Sequence, residues 1–116
     1  MSNLQLKINA HNAQESVSSA GALATDVYSS IMTDGSSGTY TLADPSNSFG
    51  NHGLYKVARN DSAVSHTLTP SNFSGGTSMT CPAGSEVYLL WCYDDDESYA
   101  GEWGLIRHSG GITINA

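Results

Sequence analysis

In the run Glu86–Tyr93, Val87, Leu89 and Trp91 alternate with Tyr88, Leu90 and Cys92. A period of two sends the two sets to opposite faces of an extended strand. Both sets are apolar, so this strand is expected at the centre of a sheet or at a subunit contact. Weaker runs carry the same period. Leu4, Leu6 and Ile8 alternate with Gln5 and Lys7, Tyr55 and Val57 oppose Leu54 and Lys56, and Trp103, Leu105 and Arg107 oppose Gly104, Ile106 and His108. With Val27–Met32, Thr39–Leu42, His66–Thr69, Thr77–Cys81 and Ile112–Ile114, the chain reads as all-β. The expected fold is one small β-sandwich or barrel of about eight to ten short antiparallel strands.

Turn chemistry separates these runs. Asp34-Gly35 permits positive φ, Asp44–Gly53 concentrates Pro, Gly and Asn in a surface loop, and Asn60-Asp61 closes the strand before it. Pro82-Ala83-Gly84 removes a ladder donor and suits a reversal, and Ser109-Gly110-Gly111 turns the chain into its last strand. His11–Thr25 is mostly Ala, Ser, Asn and Gln, with few large side chains to bury. Residues 1–26 are therefore expected to form a strand plus an irregular arm, and 27–116 the β core, within a single domain of 116 residues. One phrase recurs: TLADPSNSFG from Thr41 and TLTPSNFSGG from Thr67, which suggests one strand-to-loop solution used twice.

Eleven acidic residues against Lys7, Lys56, Arg59 and Arg107 give a net charge of −7. No cationic surface is available to displace counterions from a phosphate backbone, so nucleic acid is excluded as a partner and anionic membrane is disfavoured. No apolar run reaches bilayer-spanning length, and the first residues lack the basic start and apolar stretch of a secretion signal, so synthesis in the cytoplasm is expected. Cys81 and Cys92 have no metal-spaced partners and are expected as free thiols, a cross-strand disulfide being the alternative.

Asp94, Asp95, Asp96 and Glu97 form the densest charge in the chain. Asp94, Asp96 and Glu97 are the candidate metal ligands, with Ca²⁺ the ion they would suit. Successive residues of an extended backbone point in opposite directions, however, and calcium needs six to eight converging oxygens. A solvated hairpin tip that discourages edge-to-edge association is the favoured reading, so no cofactor is expected. Glu86 and Glu102 are the only nominees for paired-acid hydrolysis, and nothing in the sequence brings them together. His11, His52, His66 and His108 show no ligand spacing, and no Gly-x-Ser-x-Gly elbow is present. No catalytic residue is assigned. Trp91 and Trp103, with Tyr55, Tyr88, Tyr93 and Tyr99, can serve as a sugar-stacking platform or as core, and core is favoured.

From Gly53 onward, GLYKVARNDSAVSHTLTPSNFSGGTSMTCPAGSEVYLLWCYDDDESYAGEWGLIRHSGGITIN resembles the small β modules of tailed-phage virion proteins. The resembling parts are Leu54–Arg59, the Thr-rich His66–Thr69, Ala83-Gly84 leading into Val87–Tyr93, the Trp-bearing Glu102–Ile106 and the final Ile112–Ile114. The acidic loop departs from the usual shorter connection.

The resemblance implies a non-enzymatic virion structural protein. The short chain suits a capsid decoration (cement) protein better than a fibre, with the major capsid protein as partner, homotrimeric assembly, and residence on the capsid surface. Leu4, Leu6, Ile8 and Tyr28 are the expected partner contacts. The alternative is a carbohydrate-binding or receptor-binding module of a phage fibre or spike, using exposed tyrosines.

Overall fold

The computed structural model describes residues 14–45, 53–93 and 101–116. Leu4, Leu6, Ile8, His11, His52, Asp94, Asp96 and Glu97 lie outside the described residues.

The described residues form ten strands and no helix, and so include no helix long and apolar enough to cross a membrane. The strands are β1 Gln14–Val17, β2 Ala22–Leu23, β3 Ser29–Met32, β4 Thr39–Leu42, β5 Leu54–Asn60, β6 His66–Pro70, β7 Ser78–Cys81, β8 Glu86–Tyr93, β9 Gly101–Ser109 and β10 Thr113–Asn115. They build two five-stranded sheets, ordered β1-β3-β5-β8-β9 in sheet A and β10-β7-β6-β4-β2 in sheet B. The all-β expectation holds, and the two sheets do not close into a barrel.

The strand directions correct the antiparallel expectation. From β1 to β6 the chain alternates between the sheets, so β1, β3 and β5 are parallel neighbours in sheet A, and β2, β4 and β6 in sheet B. A chain that crosses to the other layer after every strand returns to each layer in the same direction, which makes a flattened coil. Antiparallel pairing begins only where β7 pairs with β6 and β8 with β5. The polar segment read as an irregular arm contains β1 and β2, whose short ladders lie against β3 and β4. Each adds one apolar side chain to the core, Leu23 from β2 and the half-buried Val17 from β1, and pairing with neighbours supplies the rest of their order.

The recurring phrase falls on adjacent parallel strands, but Thr41 faces Thr69 rather than Thr67. The offset is one full pleat, so Tyr40 with Leu68 and Leu42 with Pro70 keep the same inward face.

The core lies between the sheets. Met32, Leu54, Leu89, Trp91 and Trp103 from sheet A form one cluster with Tyr40, Leu42, Leu68, Met79 and Cys81 from sheet B. Trp91 and Trp103 face each other across β8 and β9, edge-on, with ring centroids 5.3 Å apart. Trp103 Nε1 donates to the Ala43 carbonyl at 3.1 Å, so its one polar atom is satisfied inside the apolar layer. Both tryptophans are fully buried, as the core reading anticipates.

One polar residue joins the layers at one end. Asn60, buried at the end of β5, donates from Nδ2 to the carbonyls of Val64 and Cys81, and its Oδ1 accepts from the Ser62 amide and hydroxyl. This one side chain shapes the β5–β6 turn and ties sheet A to sheet B. Gly110 has φ +90°, and a Cβ there would stand 2.6 Å from the Ser85 Cα, so the crossing from β9 to β10 requires glycine.

Candidate functional site

Among the described residues, the outer face of sheet A carries Tyr28, Tyr55 and Tyr88, which corrects the expectation of core for the last two. Period-two alternation in β5 and β8 leaves Tyr55, Val57, Tyr88 and Leu90 on the side opposite Lys56, Val87 and Leu89. A row runs from Tyr28, just before β3, across β5, β8 and β9. Val57 N donates to the Tyr28 carbonyl at 2.8 Å, Val57 pairs with Tyr88, and Tyr88 pairs with Arg107. Tyr55 stands one pleat from Val57 on the same face.

A β-bulge completes the row. Leu89 pairs with Leu105 while Tyr88 pairs with Arg107, which leaves Ile106 as the extra residue of β9. Strict alternation across Trp103, Leu105 and Arg107 would put Arg107 on the core side. The bulge corrects that expectation: Arg107 turns outward, its guanidinium carbon 5.1 Å from the Tyr88 ring centroid. Ile106 is left 47% exposed.

Together Tyr28, Tyr55, Tyr88, Ile106 and Arg107 line a groove of about 360 Å³. Tyr55 is 40% exposed and presents the most accessible ring. The Tyr88 hydroxyl donates to Glu86 Oε1 at 2.9 Å, and that hydrogen bond raises its pKa and keeps it protonated. The groove thus has aromatic walls, an apolar lip and a guanidinium, with Glu86 held beside it. Tyr28, an expected partner contact, lies in this lining.

The other sequence candidates separate. Glu86 pairs with Ser109 and Glu102 with Cys92, at opposite ends of β8. Six positions at ~3.4 Å each put them about 20 Å apart, well beyond the ~5–9.5 Å of a hydrolytic carboxylate pair. His66 is buried: its Nδ1 accepts from the Gly38 amide at 3.3 Å, and its Nε2 contacts the Asp34 carbonyl at 2.9 Å and the Ser62 hydroxyl at 3.1 Å. His108 is exposed on β9. Among the described residues no three His, Cys, Asp or Glu side chains converge as metal ligands. Cys81 and Cys92 are free thiols, and burial pushes the Cys81 thiol up to about 11.

One buried charge escaped the sequence reading. Lys56 points into the interior, where its Nζ donates to the carbonyls of Ala24 (2.6 Å) and Val27 (2.8 Å) and to Ser30 Oγ. Ser30 Oγ in turn donates to Glu15 Oε2, which also accepts from the Ala24 amide at 2.8 Å. The set links β1, β3, β5 and the segment after β2. Burial lowers the Lys56 pKa to about 8, against the smaller opposing pull of Glu15 and Asp26. The alternation in LYKVAR put Lys56 on Leu54's face, but only the neighbouring carbonyls make that inward position tolerable.

Searches against protein-family models, curated proteins and solved structures find no match for this chain.

Proposed function

We propose that the chain is a non-enzymatic structural protein that works by contact: a virion protein of the capsid-decoration type. It binds the assembled shell of major capsid protein, most simply as a homotrimer. The observation that carries this reading is how the polar interior is used. Lys56, Asn60 and His66 are each committed to backbone groups that hold strands and turns in place. A molecule built this way offers a stiff body and an outer surface rather than reactive groups facing a cleft. The order of strands from β5 to β10 is also compatible with the succession of runs that resembles virion modules.

A protein that binds only the assembled shell stabilises it by linkage, without chemistry. The test compares purified shells with and without this chain under heating and at low salt. Lower resistance of the depleted shells, restored by adding the purified protein, is the expected result. Equal resistance overturns the reading.

A further inference from the structure

We infer that the groove lined by Tyr28, Tyr55, Tyr88, Ile106 and Arg107 is a binding site for a neutral sugar ring. The inference stands on the groove alone and does not depend on the shell reading.

The groove's volume of about 360 Å³ falls at the lower end of the ~300–1,000 Å³ spanned by small-molecule sites, and its lining has their composition, mostly aromatic and apolar with few polar groups. Its chemistry narrows the ligand class. The Tyr55 ring is the most open aromatic face, whereas Tyr88 already has Arg107 over it. A pyranose offers an apolar C–H face to lie on such a ring and hydroxyls around its rim to meet polar groups. Arg107 supplies donors at one side and Glu86, already bonded to the Tyr88 hydroxyl, an acceptor beside it.

Charge excludes the main competitors. A stacked nucleobase within a nucleic-acid chain needs a cationic track for its backbone, and the protein has four basic residues against 11 acidic ones. Arg107 is the one guanidinium in the groove lining, Glu86 is bonded to the hydroxyl of the Tyr88 ring that Arg107 covers, and the outward Arg59 is paired with Asp61 at 3.9 Å, so an anionic ligand meets little net positive charge. A ligand with an apolar face, many hydroxyls and no charge fits what remains. The groove is shallow and open, so one or two rings bind weakly, and useful affinity on a surface requires several copies acting together.

The test is a titration of the isotope-labelled protein with a panel of neutral disaccharides (maltose, cellobiose, lactose), and with glucuronate as the charged arm, followed by amide and side-chain chemical shifts. Saturable millimolar shifts centred on Tyr55, Tyr88 and Arg107 with at least one neutral sugar are expected. Tyr55→Ala weakens that binding about tenfold by removing the stacking ring, while Tyr55→Phe, which keeps the ring, retains it. Tyr55 is substantially exposed, so both variants keep the tryptophan bands of the parent's near-ultraviolet circular dichroism, which report the buried Trp91 and Trp103. Three results overturn the inference: no saturable shift from any neutral sugar, shifts centred away from the groove, or binding of glucuronate alone that Arg107→Gln abolishes.

Discussion

Lys56 Nζ donates to the Ala24 carbonyl at 2.6 Å from inside the fold, so a side chain of β5 holds down the segment that leaves β2. The contact bridges consecutive turns of the coil and places a charged amine where water does not reach it. Its energetic consequence depends on pH.

The folded Lys56 pKa of about 8 lies below the unfolded 10.5, so between these values the unfolded chain binds the extra proton and stability rises with pH. Below pH 8 both states are protonated and the cost of burying the charge is fully present. Between pH 8 and 9 the wild type is expected to gain about 1 kcal/mol relative to Lys56→Met, measured by urea unfolding. Cys81 acts in the opposite sense. Its thiol stays protonated to about 11 when folded but ionises from 9.0 when unfolded, so it lowers stability across that window, and Cys81→Ala removes the decline.

Trp103→Ala is expected to destabilise the fold by about 3–5 kcal/mol, because it deletes a fully buried ring and its edge-on contact with Trp91. Trp103→Phe retains much of the packing but loses the Nε1 hydrogen bond to the Ala43 carbonyl, and should fall between the parent and the alanine variant in chemical denaturation.

Asn60→Ala removes donors from the Val64 and Cys81 carbonyls and the acceptor of Ser62. The expected loss is about 2–4 kcal/mol, since at least one buried carbonyl is left without its partner. Asn60→Asp presents a carboxylate to the same two carbonyls and should be worse at neutral pH than at pH 4, a reversal that thermal unfolding at the two values detects.

Gly110→Ala and Gly53→Ala separate strain from collision. Both glycines have positive φ, +90° and +86°, but a Cβ at Gly53 meets nothing within 4 Å, whereas at Gly110 it stands 2.6 Å from Ser85. Gly53→Ala should cost about 1–2 kcal/mol from backbone conformation alone. Gly110→Ala should cost clearly more, read as a lower melting temperature than that of Gly53→Ala.

Several elements were legible because their signal is local. The alternation of Glu86–Tyr93 and of LYKVAR assigned the right side chains to each face of β8 and β5, and the glycines of Ser109-Gly110-Gly111 marked a turn that the backbone makes with positive φ. The tryptophans could be placed in the core because large aromatics on strands carry more apolar area than a small domain can leave wet. The groove was only partly legible. Tyr55 and Tyr88 were named as candidates for a platform although core was favoured for them; their outward face and their lateral alignment with Tyr28 and Arg107 depend on how β3, β5, β8 and β9 are ordered.

A two-residue period and turn chemistry, both local, therefore suffice for the all-β class, for where the stronger strands run and for which side chains share a face up to the bulge in β9. Tertiary structure decided the winding of β1 to β6 into parallel ladders, the recruitment of β1 and β2 from a mostly polar segment, the outward turn of Arg107 at the bulge and the burial of Lys56. Each of these depends on hydrogen-bond partners distant in sequence, and alternation along one strand carries no information about which strand will lie beside it.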